Sequence, residues 1–352
     1  MRVIKAGYEI LPKQKNLMKK IELVARICYK SEDLITEDSC VKMVNNLIQR
    51  QHYAMLEHTT LVLNVDGNSF NDVLGLVNHL EKGLKLRKDY KTFKSYLNFT
   101  DYNAYYIISG NIRAWLEFLN ECVEAIGKIP LFFKKYLEQN KTDDNLVLFK
   151  SFYQENGGMF VYPEEEIWCC QIKDTSKLSI RERLVHETLS VKFTVDRGVT
   201  HELVRMRDCS FAQESTRYCN YSKGKFGEEI TVIKPLFFEQ WDKDLDNKCE
   251  TMNYGLWARS CEQAEKAYFN LLKEGATPQE ARDVLPTSVK ADIIMTTNIR
   301  EWVHILELRA LGTTGKPHPQ MEEVMIPLAK ELASGLLSDF TCIDSVNKML
   351  SL

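Results

Sequence analysis

Leu189, Val191, Phe193 and Val195 alternate with polar residues, and Gly198 follows. Successive strand residues point to opposite faces, so this period of two marks a strand with one buried face. Around it the chain is mostly helical in period. Leu17, Ile21, Val24 and Cys28 give an amphipathic helix over 13–30. A second helix is expected over 37–50, with Thr36 as N-cap and Glu37 and Asp38 in its first turn. Leu61 to Val65 reads as a short strand ending at an Asp66-Gly67 turn. The chain must therefore bury strand faces and helix stripes together.

The later part is punctuated more sharply. A long helix is predicted over 255–274, closed by Gly275. Thr277-Pro278-Gln279-Glu280 has the form of a capping box with proline at the first helical position, and its helix runs through Arg282 to Pro286. Further helices are expected over 298–311 and 320–337, the last disturbed by Pro327. Residues 66–185 are less legible. Ile112, Trp115, Leu116 and Leu119 mark one helix, a polar stretch covers Gln139 to Asn145, and Gly157-Gly158 breaks the chain. Asn111-Ile112-Arg113-Ala114-Trp115 echoes Asn298-Ile299-Arg300-Glu301-Trp302. A decayed duplication would explain the echo; two similar helix starts are the plainer reading.

The 352 residues suffice for a sizeable core, and 44% hydrophobic with 27% charged residues reads as globular. A net charge of -3 counts against a nucleic-acid grip. It leaves room for an anionic small molecule, because arginines can cluster locally. No stretch has the length of apolar sequence that a membrane span needs, and Met1 to Ile10 lacks an apolar leader core. Ten cysteines without framework spacing read as reduced thiols of a cytoplasmic protein.

Several common chemistries are excluded by spacing. No G-x-G-x-x-G follows a strand and no G-x-S-x-G occurs. Gly312-Thr313-Thr314-Gly315-Lys316 has the wrong spacing for a phosphate loop, with Pro317 where Ser or Thr belongs. His186-Glu187 and His201-Glu202 lack the second histidine of a zinc helix, and no metal site is expected. What remains is Glu202-Leu203-Val204-Arg205-Met206-Arg207, followed by Gln213-Glu214-Ser215-Thr216-Arg217-Tyr218. Guanidinium forks match phosphate oxygens two at a time. The bland reading is a solvated face with salt bridges to Asp208 and Glu214. At about 100° per residue, Arg300 and His304 share one face of the helix 298–311, while Asn298 and Arg309 lie roughly opposite. An ordinary surface helix is the bland reading there, as exposed or structural histidines are for His52 to His58.

Taken in order, these segments resemble the flavin-dependent thymidylate synthases. The family signature is Arg-His-Arg, seven residues, then Ser; Arg205, Met206, Arg207 and Ser215 hold those places. Ser210, Arg217 and Tyr218 extend the likeness, as do Ala281-Arg282-x-Val284-Leu285-Pro286, the set Asn298, Arg300, His304 and Arg309, and then His318, Gln320 and Glu322. His52 to His58 is similar to the family's flavin-side segment. The likeness covers roughly 1–65 and 186–340. It implies an α+β fold, a mixed or antiparallel sheet flanked by helices. It also implies a single domain over 1–352, with 66–185 a mostly helical insertion.

The same likeness implies the chemistry. dUMP would become dTMP, with methylenetetrahydrofolate as carbon donor, FAD as hydride carrier and NADPH as reductant. dUMP would be held by Glu202, Arg205, Gln213, Ser215, Arg217 and Arg282, with Arg309 against the uracil as the catalytic residue. FAD would meet His52, Glu57, Arg205, Met206, Arg207, Asn298, Arg300 and His304. The family's sites lie between subunits of a homotetramer. Two departures stand out: Met206 replaces the histidine of the signature, and Ala54 stands where a hydroxyl is usual. They keep two other readings open, a same-fold enzyme acting on another pyrimidine nucleotide and an inactive flavin- or nucleotide-binding protein.

Overall fold

The computed structural model describes residues 1–14, 16–66, 97–102, 105–126, 129–140, 148–149, 168–217, 220–223, 227–238 and 252–352. Gly67, Asn145, Gly157-Gly158 and Tyr218 of the readings above lie outside them. The chain divides into two compact units. Unit 1 comprises Met1–Pro12, Arg26–Glu32 and Leu189–Leu352; unit 2 comprises Lys13–Ala25 and Asp33–Thr188.

In unit 1 a four-stranded sheet runs in the order Gly7–Ile10, Thr188–Asp196, Lys290–Asn298, Ser210–Gln213. The outer pairs are antiparallel, with Tyr8 opposite Phe193 and Ile294 opposite Ala212. The predicted alternating strand is there, and Leu189, Val191, Phe193 and Val195 are buried. Arg2–Ile4 pairs in parallel with Thr231–Ile233. Helices are interleaved with these strands, so the mixture of helix and largely antiparallel sheet is as expected. The helix Met252–Lys273 packs Cys261 and Tyr268 against Ile230, Val232 and Val289. It ends at Gly275, whose φ of +94° belongs to the left-handed region glycine enters freely. In the short helix Pro278–Ala281, the Glu280 carboxylate accepts from the Thr277 N–H and hydroxyl. The helix Pro319–Ser334 continues through Pro327.

In unit 2 a second four-stranded sheet has the order Leu97–Asp101, Tyr105–Asn111, Thr60–Asp66, Cys169–Gln171, antiparallel throughout. The helices Ile112–Ile126 and Leu131–Gln139 bring Trp115, Phe132, Phe133 and Tyr136 into one aromatic cluster with Phe149. Thus 66–185 holds the expected helix at Ile112 and also strands that sequence reading missed. The strand Tyr105–Asn111 is buried along its length, so it shows no alternation to read.

The helix Leu17–Tyr29 buries Leu17, Ile21, Val24 and Cys28 as predicted. The second helix is Ser39–Gln49, with Asp38 rather than Thr36 in the N-cap position and no side-chain capping bond from it. Thr36 instead takes part in a local turn, its N–H donating to the Ser39 hydroxyl. That side chain–backbone bond competes with helix extension, and the expected acidic first turn is lost with it. The described cysteines are free thiols. Among the described residues no helix is long and apolar enough to cross a membrane.

Candidate functional site

The arginine segment of unit 1 begins on the helix Arg197–Leu203, capped by Asp196, whose carboxylate accepts from the Val199 N–H. The same Asp196 accepts from the Gln320 side-chain amide at 2.6 Å. The helix ends in a tight turn, Arg205 N–H to the Glu202 carbonyl and Met206 N–H to that of Leu203. Asp208 takes a φ of +53°, and its carbonyl accepts from the Thr297 hydroxyl. This reversal turns the chain into the strand Ser210–Gln213, pinned beside Ile293–Thr296. Arg205 and Arg207 are exposed, and neither forms an ion pair among the described residues. They are solvated, as the bland reading has it, but without its salt bridges to Asp208 and Glu214 among the described residues. Met206 beside them is half-buried.

Glu214 has a different task. It is buried, and its carboxylate accepts from Lys290 Nζ at 2.7 Å and from the Asp292 N–H at 3.1 Å. Lys290 also donates to Asp292 at 3.0 Å, Thr194 donates to Asp292 at 2.6 Å, and Lys30 bonds Asp292 while lying 3.6 Å from Glu214. Two lysines and two carboxylates thus form a cluster whose four charges balance. Burial works to raise the Asp292 pKa, but Lys290 and Lys30 outweigh it and hold the carboxyl below the usual range. Burial likewise works to lower Lys30, and Glu214 and Asp292 reverse the sign, raising it. Its member Glu214 lies between Gln213 and Ser215, both candidate dUMP residues. Sequence reading missed it because its members come from three separate stretches, around residues 30, 214 and 290–292, that only the fold brings together. The one signal was Asp292, a carboxylate inside an apolar strand.

Gln213 donates to the Thr200 hydroxyl at 3.0 Å, and the Ser215 hydroxyl accepts from the Arg217 N–H. Arg282 is exposed on the turn that follows Pro278–Ala281. The helix Ile299–Arg309 is capped by Asn298, which accepts from the Glu301 N–H at 2.8 Å. Arg300 and His304 are exposed on it, His304 Nδ1 lying 3.9 Å from Glu307. Arg309, at its last turn, is half-buried 3.7 Å from Glu202, so the structure brings these two predicted residues together. Its Nε is buried with no hydrogen-bond partner among the described residues. A buried donor left unpaired costs about 1–3 kcal/mol, so this atom is primed for an acceptor. In unit 2, His52 is exposed and Glu57 is half-buried, its carboxylate accepting from Arg113 at 2.7 Å.

The family described as thymidylate synthase complementing protein matches residues 172–334. Flavin-dependent thymidylate synthases are similar in sequence. That of Pyrococcus abyssi is 31% identical over 113 residues, 32% of this chain and 42% of the relative. That of Haloarcula marismortui is 26% identical over 153 residues, 39% and 60%. That of Corynebacterium efficiens is 34% identical over 122 residues, 33% and 46%. The chain thus spans about half the length of these relatives. A UMP/dUMP methylase, PolB from Streptomyces cacaoi, aligns with 95% of this chain and 93% of its own at 13% identity and a TM-score of 0.37, too low to bear on the fold. Every motif from Arg205 to Glu322 falls inside the matched segment, while His52 to His58 falls outside it. The family match is thus confined to residues 172–334, and the likeness to flavin-dependent thymidylate synthases is one of part of the chain.

Proposed function

We propose that the chain catalyses the reductive methylation of dUMP to dTMP, taking the carbon from methylenetetrahydrofolate and the reducing equivalents from NADPH. The observation that carries this reading is the buried, unpartnered Nε of Arg309 beside Glu202. C5 of uracil is a weak carbon nucleophile. It reacts when the negative charge developing at the ring carbonyls meets a fixed cation. A guanidinium already desolvated and held by a helix favours that charge more than the neutral ground state, which is what lowers the barrier. Ser215, Arg217 and Arg282 are assigned to the phosphate and sugar. Glu202, Arg205 and Gln213 are assigned to dUMP with them, and Glu202 lies 3.7 Å from Arg309.

The donor set suits FAD. Arg205, Arg207 and Arg300 are exposed guanidinium groups without ion pairs among the described residues, and a dinucleotide pyrophosphate needs such cations. With Met206, Asn298 and His304 they would hold the cofactor, which when bound supplies hydride chemistry that no side chain can. Met206 offers a polarizable sulfur to an aromatic ring in place of a hydrogen bond. We read the active assembly as a homotetramer with sites between subunits, and the setting as the cytoplasm.

The test is a visible spectrum with and without added FAD, then an assay for dTMP from dUMP, methylenetetrahydrofolate and NADPH. Turnover with a flavin spectrum supports the proposal. Folded protein that binds neither flavin nor dUMP refutes it. Met206 favours one second reading, action on another pyrimidine nucleotide, and a panel of dUMP against dCMP separates the two.

A further inference from the structure

We infer that unit 2 is a second, nucleotide-silent copy of the sheet–helix element that carries the candidate site in unit 1. The repetition is geometric, and it reaches well beyond the five-residue echo. Each unit has a strand ending in asparagine that runs directly into a helix, Tyr105–Asn111 into Ile112–Ile126 and Lys290–Asn298 into Ile299–Arg309. Each asparagine caps its helix through the N–H three residues on, Asn111 to Ala114 at 2.8 Å and Asn298 to Glu301 at 2.8 Å. Each helix buries a tryptophan whose indole N–H donates to a leucine carbonyl in the neighbouring strand, Trp115 to Leu61 at 3.2 Å and Trp302 to Leu189 at 3.1 Å.

Those leucines sit in matching contexts. His58-Thr59-Thr60-Leu61 and His186-Glu187-Thr188-Leu189 both open on a buried histidine that ends a short helical segment. The sheets agree as well. In each, the asparagine strand and the leucine strand are the two central neighbours, and each is flanked by an antiparallel edge strand. Only one edge differs in chain order: Gly7–Ile10 precedes its leucine strand and Cys169–Gln171 follows its own. Asparagine caps and satisfied indoles are common one at a time. Neither demands that the indole reach the leucine three residues after a buried histidine, in sheets of the same order.

The copies part at the functional positions. Arg300 corresponds to Arg113, His304 to Glu117 and Arg309 to Cys122, counted from the capping asparagine. Arg300 forms no ion pair among the described residues, whereas Arg113 is tied to Glu57 and Glu117 at 2.7 Å each. Cys122 is fully buried and offers no cation to an anionic ring. A position released from base contact has been given over to the core. The word silent rests on the role proposed for Arg309; the repeat itself does not.

A crystal structure of the full chain with dUMP and FAD tests both parts. Superposing 60–66 and 105–119 on 188–194 and 292–306 is expected to align the two caps and the two indoles, and nucleotide is expected beside Arg309 with none beside Cys122. Equilibrium dialysis with labelled dUMP should saturate at one nucleotide per chain. Strands or caps that fail to superpose overturn the repeat. Nucleotide seated on the helix Ile112–Ile126, or two per chain in dialysis, overturns the silence. Superposed copies with no nucleotide at either helix uphold the repeat and sink the proposed function instead.

Discussion

Replacing Glu214 by Gln removes one charge from a cluster of two lysines and two carboxylates and leaves a net positive charge inside unit 1. An uncompensated buried charge typically costs 3–5 kcal/mol. The side chains of Lys30 and Lys290 keep 17% and 16% of their exposure, so water screens part of that charge, and the amide oxygen still accepts from Lys290. The expected loss is therefore at the lower end, about 2–3 kcal/mol by urea unfolding. Lys290→Met in the same background restores neutrality. The double variant should then lose at least about 1 kcal/mol less than the two single losses added together. Because Gln213 and Ser215 flank Glu214, E214Q should also raise KM for dUMP more than it lowers kcat. A stability loss under about 1 kcal/mol in E214Q, or simple additivity in the cycle, would show that the four charges do not act as a unit.

Other outcomes follow from the same structure. Arg309→Ala should fold and bind FAD but lose roughly 10²–10³ in kcat, the usual effect of deleting one preorganised charge; near-normal turnover would remove Arg309 from the mechanism. Met206→His should leave the fold intact and hold FAD as well or better in a flavin titration, and an unfolded variant would show that the site is packed rather than open. Burial lowers the His186 pKa to about 4, with Glu182 opposing, so the folded state resists a proton that the unfolded state takes up at about 6.5. The stability this histidine permits is whole above pH 6.5 and falls as pH drops towards 4, by about 3 kcal/mol, and the same slope in His186→Gln would assign the loss to another group. Asn298→Ala should cost about 1 kcal/mol by removing the cap, and an unchanged unfolding midpoint would contradict it.

What could be read from sequence was what depends on neighbours in the chain. The alternation from Leu189 to Val195, the capping box at Thr277 and Gly275 after the long helix all act within one strand or turn, and all three are found where the pattern put them. Ser39 shows the limit of that logic: its hydroxyl bonds back to Thr36, and the helix starts after Asp38 without a side-chain cap. The strand Tyr105–Asn111 was illegible for another reason. A strand covered on both faces needs no polar alternate residues, so it loses the period that announces a strand. The site divides in the same way. Arg205, Arg207, Arg300 and Arg309 stood out because guanidinium groups at those spacings have a chemistry of their own. The Lys30, Glu214, Lys290 and Asp292 cluster has none until antiparallel pairing sets residue 214 beside 292.

The echo at Asn111 and Asn298 lies between these cases. Five similar residues are weak evidence for common descent, since any strand-to-helix junction favours a capping asparagine and an apolar residue behind it. The argument changes when the partners of those residues are known. Trp115 and Trp302 each find the carbonyl of a leucine set three residues beyond a buried histidine, far away in sequence and invisible to a pattern scan. Similar side chains at similar spacing can arise from local physics alone. Similar side chains choosing the same distant acceptor, in sheets of the same order, are the ground on which the shared element is inferred.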